Sequence, residues 1–335
     1  MFKPTKLKSL AAVAGACVAM FAAAPANAYV YALSHLEVKD FNLVISPDAA
    51  TSVRGYSFNL TNTASMFGAN AAPSSAACGS SGSPCGMGPV LNAPMANAPG
   101  STLLRTENNF SFLGANGVDS YSGSDSVITT AELVTFSPTS LNQIAESLLN
   151  ANGQAQANSE IQSNTSLNIT FSILSGPGPA TLDLNFNADP DQRADIAGAI
   201  GDYLAQSNMN ASITLTKRGG GQIGWTPQGT LANDCSSSMV GAVCTETADS
   251  QDLNNNASAF FNPDTNDNSY ETGNVFSAFG IHVTGLTAGD YTIALNSVTS
   301  TSISRVVPEP GSLALIGVAL LGLGFGASRR QAKQG

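Results

Sequence analysis

The densest set of hard oxygen ligands in the chain lies in PDTNDNSYE. Asp264, Asn266, Asn268 and Glu271 offer carboxylate and amide oxygens, the donor type that calcium takes. The spacing departs from an EF-hand, with no Gly at the sixth position and no Glu at the twelfth. The segment is therefore expected to be a solvated turn, and calcium is the ion it would suit. Asp189-Pro190-Asp191 and the Asp249/Asp252 pair are sparser versions of the same chemistry.

Catalytic patterns are not legible. The chain has 2 histidines, His35 and His282, each inside a strand-like run, where a sheet residue is the expected role. No G-x-S-x-G, H-E-x-x-H, phosphate-loop or dinucleotide pattern occurs. The reading is a protein that is not an enzyme and needs no cofactor. Trp225 is the single Trp and is expected against a core, while Tyr121 and Tyr270 lie in polar stretches.

Cys78, Cys85, Cys235 and Cys244 fall into two close pairs within Gly/Ser-rich sequence. In an oxidising compartment an even count points to disulfides, and four cysteines allow three connectivities. The two local pairs, Cys78–Cys85 and Cys235–Cys244, are the expected loop staples. Zinc is disfavoured because the spacings exceed the usual C-x2–4-C and no His is near.

Short alternating runs must position these residues. Tyr29 to Ile45, Ser52 to Thr61, Phe110 to Leu113 and Ser126 to Phe136 read as strands. Residues 166–174 and 181–187 read as one hairpin, 211–217 and 222–226 as a second, and FGIHVTGLTAGDYTIAL as a third. Two helices are expected. Ser140 and Gln143 resemble a capping box ahead of Leu141, Ile144, Ala145, Leu148 and Leu149. Asp189 and Pro190 could open another over 190–206. Residues 68–101 and 228–273 read as long polar loops. The fold class expected is mainly β: an antiparallel β-sandwich with one or two short helices, long polar loops and a C-terminal transmembrane helix.

Both ends of the 335-residue chain look like addresses. Lys3, Lys6 and Lys8 precede an apolar run, and Ala26-Asn27-Ala28 offers a signal-peptidase site, with cleavage expected between Ala28 and Tyr29. At the other end, Leu313 to Ala327 is a 15-residue apolar run followed by Arg329, Arg330 and Lys333. As a helix it would span about 22 Å against a bilayer core of about 30 Å, a short anchor. Arg329 and Arg330 would act as the stop-transfer cluster and remain cytoplasmic. Between these ends lie seven basic residues and all 23 acidic ones, a net charge of −16. Nucleic acid is excluded as a partner, because phosphate binding needs a basic face.

Val307-Pro308-Glu309-Pro310, the short Leu/Gly/Ala run and the terminal Arg-Arg together closely resemble the PEP-CTERM sorting signal of Gram-negative bacteria. In that family the membrane protease-transpeptidase exosortase recognises the motif, here Pro308, Glu309 and Pro310, and is thought to remove the helix and basic end. Family members are associated with exopolysaccharide, biofilm or floc. The same tail has been labelled the C-terminal domain of ice-binding proteins. YVYALSHLEVKDFNLVIS after the leader faintly resembles the EDSAP type of PEP-CTERM protein.

The resemblance implies three segments: a signal peptide over 1–28, a β-rich extracytoplasmic domain over 29–307 and a sorting signal over 308–335. It implies export through the inner membrane, transient anchoring there, and a cell-surface or extracellular-matrix destination. Exosortase and exopolysaccharide or surface matrix are the partners expected. The function expected is structural or adhesive. A binding module for polysaccharide, calcium or ice on the same anchor is the alternative.

Overall fold

The computed structural model describes residues 29–46, 51–55, 58–78, 91–115, 119–130, 139–162, 169–175, 178–197, 202–232, 234–260, 266–270 and 275–306. Among them every regular element is a strand, and all pairings are antiparallel. The strands are numbered in chain order and form two sheets.

The first sheet has eight strands. In spatial order its path runs β15 (Val243–Asp249), β18 (Ser277–Leu286), β11 (Ala180–Ala197), β1 (Tyr29–Ser46), β8 (Thr139–Leu149), β7 (Tyr121–Thr130) and β6 (Leu91–Asn97), with β17 (Asn266–Tyr270) also on β11. The second has eleven. Its path is β14 (Cys235–Ser237), β13 (Gln222–Trp225), β12 (Asp202–Lys217), β19 (Gly289–Val306), β9 (Gly153–Gln162), β3 (Phe58–Met66) and β4 (Ala69–Asn70). Off this path, β16 (Asn256–Phe260) pairs β12 and β5 (Ser74–Cys78) pairs β3, while β10 (Ile169–Ile173) pairs both β19 and β2 (Thr51–Gly55).

The sheets pack face to face over two apolar clusters. The larger joins Leu36, Phe41, Leu182 and Phe186 of the first sheet to Leu60, Ile213, Trp225 and Ile293 of the second. The smaller joins Val30, Ala32 and Leu149 to Met66, Ala155 and Ile303. Between them the interior is polar. Ser34 Oγ donates to Asn208 O at 2.8 Å, Ser122 Oγ to Gln156 O at 2.7 Å and Ser124 Oγ to Thr63 O at 2.9 Å, all across the sheet interface. Gln143 Nε2 donates to Ser297 Oγ at 2.6 Å. A serine has one heavy atom beyond Cβ, so the sheets here lie closer than the usual ~10 Å. The hydroxyls of Ser34, Ser122 and Ser124 each keep a partner, which offsets the cost of burying them, whereas Thr299 Oγ1 and Gln143 Oε1 are buried without one among the described residues.

Several sequence expectations are corrected. The helix over 140–150 is strand β8. Its inward face carries Leu141, Gln143, Ala145, Ser147 and Leu149; its outward face carries Ile144, Glu146 and Leu148, and both are buried. Burial on two faces erases the alternation that marks a strand, and the leucines fall by chance at helical spacing. The helix over 190–206 is the end of β11 and the start of β12. Pro190 is tolerated in a strand because it falls in the gap between β18, which pairs β11 as far as Ala188, and β17, which starts at Gln192.

The expected hairpin of 166–174 with 181–187 is not formed: β10 belongs to the second sheet and β11 to the first. FGIHVTGLTAGDYTIAL is likewise no hairpin, because β18 and β19 lie in different sheets. Gly285, at φ +78°, makes that crossing, and a Cβ there would meet the Gly241 carbonyl oxygen at 2.0 Å. The hairpin of 211–217 with 222–226 does form, as β12 and β13. Residues 110–113 are not a strand, and the two supposed polar loops contain β4, β5, β6, β14, β15, β16 and β17.

Candidate functional site

The outer faces of the two sheets differ in chemistry. On the first sheet, β1 and β11 present Glu37, Asp183, Asp189, Asp191 and Asp195 outward, and residues 101–115 fold over the neighbouring strands. Arg105, buried to 1 % exposure, pairs there with Glu146. The Glu146 carboxylate also accepts from Tyr31 Oη at 2.7 Å, Tyr121 Oη at 2.9 Å and the amides of Leu113 and Gly114. Burial, and then the Glu146 charge, push both phenols up, so they stay protonated donors. Every group in this network serves to pin the covering segment. Sequence reasoning missed it, although an Arg in a stretch whose one other charge is Glu107 is a signal.

The two histidines sit on the same outer face. His35 Nδ1 lies 3.3 Å from Asp191 Oδ2 and its Nε2 2.9 Å from Asn142 Oδ1. His282 Nδ1 lies 2.5 Å from Asp183 Oδ1. Each histidine is held by a cross-strand carboxylate, His35 from β1 to β11 and His282 from β18 to β11.

Cys235 and Cys244 are joined by a disulfide, with Cα atoms 6.0 Å apart. The bond draws their neighbours together: carboxylate oxygens of Asp234, Glu246 and Asp249 lie within 4.8 Å of one another. Trp225 Nε1 donates to Glu246 at 2.6 Å, and the amides of Gln228 and Gly229 donate to Asp249 at 3.0 and 3.2 Å. Burial pushes the Asp249 carboxyl up. These three could offer oxygen ligands to a hard cation. Of the calcium candidates read from sequence, Asn266 and Asn268 lie in β17, opposite Ile196 and Ala194 of β11, instead of in a turn. Asp264 and Glu271 lie outside the described residues, as do the Cys78–Cys85 pairing, the Ala28–Tyr29 cleavage site's leader side and the apolar run of the tail.

The second sheet is different. Over one stretch its outer positions on β3, β12 and β19 are hydroxyls and amides: Thr61, Thr63 and Ser65; Gln206, Asn208 and Asn210; Ser300, Ser302 and Ser304, with Leu204 and Val298 apolar and Asp202 and Asp290 acidic beyond it. Register sets them in rows. Gln206 faces Ser302, Ser302 faces Gln156, Gln156 faces Ser65 and Ser65 faces Asn70. Beside that row, Asn208 faces Ser300. Where the β3–β4 turn rises over this face, a groove of about 560 Å³ forms, lined by Thr63, Ser65, Asn70, Pro73, Gln156, Ser300 and Ser302 among others. None of its described lining residues is ionisable. Neighbouring strands lie about 4.8 Å apart, so donors and acceptors repeat at that interval across the groove.

β19, the strand that carries Ser300 and Ser302, ends at Val306. Residues 306–330 match the family model for the PEP-CTERM protein-sorting motif. The chain carries a PEP-CTERM sorting signal. That signal implies export, anchoring in a membrane before processing, and processing by exosortase. It starts where a strand paired on both sides, with β12 and β9, comes to its end. Neither a curated protein nor a solved structure matches the chain. No helix among the described residues is long and apolar enough to cross a membrane, and the 313–327 run lies outside them.

Proposed function

We propose that this chain is a matrix component: exported, processed by exosortase near Pro308-Glu309-Pro310, and retained in exopolysaccharide at the surface of a Gram-negative cell. It acts by presence and adhesion, not by turnover. The observation that carries this reading is the uncharged hydroxyl and amide patch around Ser65, Gln156 and Ser302 on the second sheet, with Ser302 on the strand that runs into the sorting signal. Serine and threonine hydroxyls and Asn/Gln amides each donate and accept, which matches the mixed donor and acceptor hydroxyls of a glycan. The first sheet's outer face carries Glu37, Asp183, Asp189, Asp191 and Asp195, whereas the described residues around Ser65, Gln156 and Ser302 carry no charge that would oppose a neutral polymer.

The test is the distribution of the protein in cultures that make exopolysaccharide and in otherwise identical cultures that do not. Retention in the polymer fraction in the first, and release to the medium in the second, is the expected result. An identical distribution in both sinks the reading.

A further inference from the structure

The groove over β3, β9 and β19 has a described lining of uncharged hydrogen-bonding and small apolar groups. We infer that it is a binding site for a short stretch of an uncharged polysaccharide chain, with Ser302, Gln156 and Ser65 as the contact row and Asn70 and Pro73 as one wall. This deepens the matrix reading above and rests on it.

Four observations converge. The volume, about 560 Å³, lies in the range of small-ligand sites, ~300–1,000 Å³. The register of three strands sets Ser302, Gln156 and Ser65 side by side, so a chain lying across the strands meets a donor and an acceptor at each step. The groove's floor is formed by β3, β9 and β19, each paired on both sides, so side chains and not unpaired backbone groups make the contacts there. That argues against an added peptide strand, which needs an open edge. Finally, although residues 29–310 carry a net charge of −16, no described residue of this lining is ionisable. A phosphate or carboxylate ligand would need a cation that the lining lacks, whereas neutral sugar hydroxyls need none.

No aromatic residue is among the described lining residues, and Trp225 is 1 % exposed inside the core. Binding therefore depends on hydrogen bonds that compete with water, each worth about 0.5–1.5 kcal/mol net. Single sugars bind weakly, and a polymer that engages many protein copies is held by avidity.

The experiment is affinity electrophoresis of the exported protein, recovered from its own cells, in gels containing dextran, polygalacturonate or the cells' own polysaccharide. Three variants accompany it: Ser302→Asp, the milder Gln156→Ala, and Thr214→Asp on the same sheet face outside the groove. Melting temperatures establish that each is folded. Retardation by dextran or the native polymer that falls at least tenfold in Ser302→Asp, falls in part in Gln156→Ala, and persists in Thr214→Asp supports the site. Equal retardation of all variants overturns the groove while leaving the matrix reading intact. Retardation by polygalacturonate alone overturns the claim of an uncharged ligand. No retardation of the unsubstituted protein by its own polymer overturns both.

Discussion

Ser34 and Ser207 tie the two sheets together reciprocally. Ser34 Oγ donates to the Asn208 carbonyl, Ser207 Oγ donates to the Leu33 carbonyl, and both side chains are fully buried. The sheets meet at this point through one-atom side chains, so size matters more than polarity. Ser34→Ala is expected to cost about 1 kcal/mol, the loss of one net hydrogen bond. Ser207→Leu should cost more, about 1–3 kcal/mol from overpacking with the lost bond added. Urea denaturation of the two variants checks the order; a Ser207→Leu protein as stable as the unsubstituted one contradicts the close approach.

The Arg105–Glu146 pair holds the segment 101–115 onto the first sheet. Removing one partner leaves a buried charge uncompensated, so Glu146→Leu alone should destabilise by about 3–5 kcal/mol. The double replacement Arg105→Met with Glu146→Leu should recover much of that loss. Limited proteolysis is the second readout: the single variant should be cut within 101–115 before any strand is lost, and the unsubstituted protein should not.

Asp125 carries a pH dependence of unusual sign. Burial pushes its carboxyl up to about 6, although the amides of Asn108 and Ser126 donate to it and the nearby Arg105 charge pulls the other way. The folded state therefore holds the proton more tightly than the unfolded chain. This contribution is absent below about pH 4 and becomes destabilising as pH rises to about 6. It is constant above that, at up to about 3 kcal/mol. The stability of Asp125→Asn relative to the unsubstituted protein should climb over that window and then level. A flat difference from pH 4 to 7 would falsify the assignment.

The Cys235–Cys244 disulfide closes a short loop with a sequence separation of 9. Chain entropy gives it about 2.5 kcal/mol of stabilisation. Reductant should lower the melting temperature of the unsubstituted protein. The measurement is made beside the Cys235→Ala/Cys244→Ala double variant, with Cys78 and Cys85 present in both. If the double variant loses as much on reduction, the effect belongs to the other cysteines.

What could be read from sequence follows from which faces are wet. β12 and β13 alternate cleanly, one face in the core and one toward solvent, and their hairpin is legible. β8 and the end of β11 are covered on both faces, β8 partly by residues 101–115. Their patterns imitate helices because burial, not period, decides their apolar positions. The polar belt between the two core clusters hides strands in the same way, since Ser122, Ser124 and Ser147 are buried but do not look it.

The sorting signal was legible because its parts lie in order along the chain. The groove was not: Ser302, Gln156 and Ser65 are far apart in sequence and meet only through strand register. The acidic trio of Asp234, Glu246 and Asp249 was hidden for a related reason. Its members come from three points of the chain beside the Cys235–Cys244 disulfide, and of them the sequence pointed only to Asp249, in its pair with Asp252.

The central claim is that an uncharged groove on the second sheet holds this protein in a glycan matrix. The most direct measurement is co-sedimentation of the exported protein with its own purified polysaccharide, at low salt and at 1 M salt. At 1 M the screening length is about 3 Å, which suppresses attraction between charges and leaves neutral hydrogen bonds largely intact. The account predicts co-sedimentation that is unchanged by salt and reduced by Ser302→Asp. Co-sedimentation that vanishes in salt, or never occurs, would contradict it.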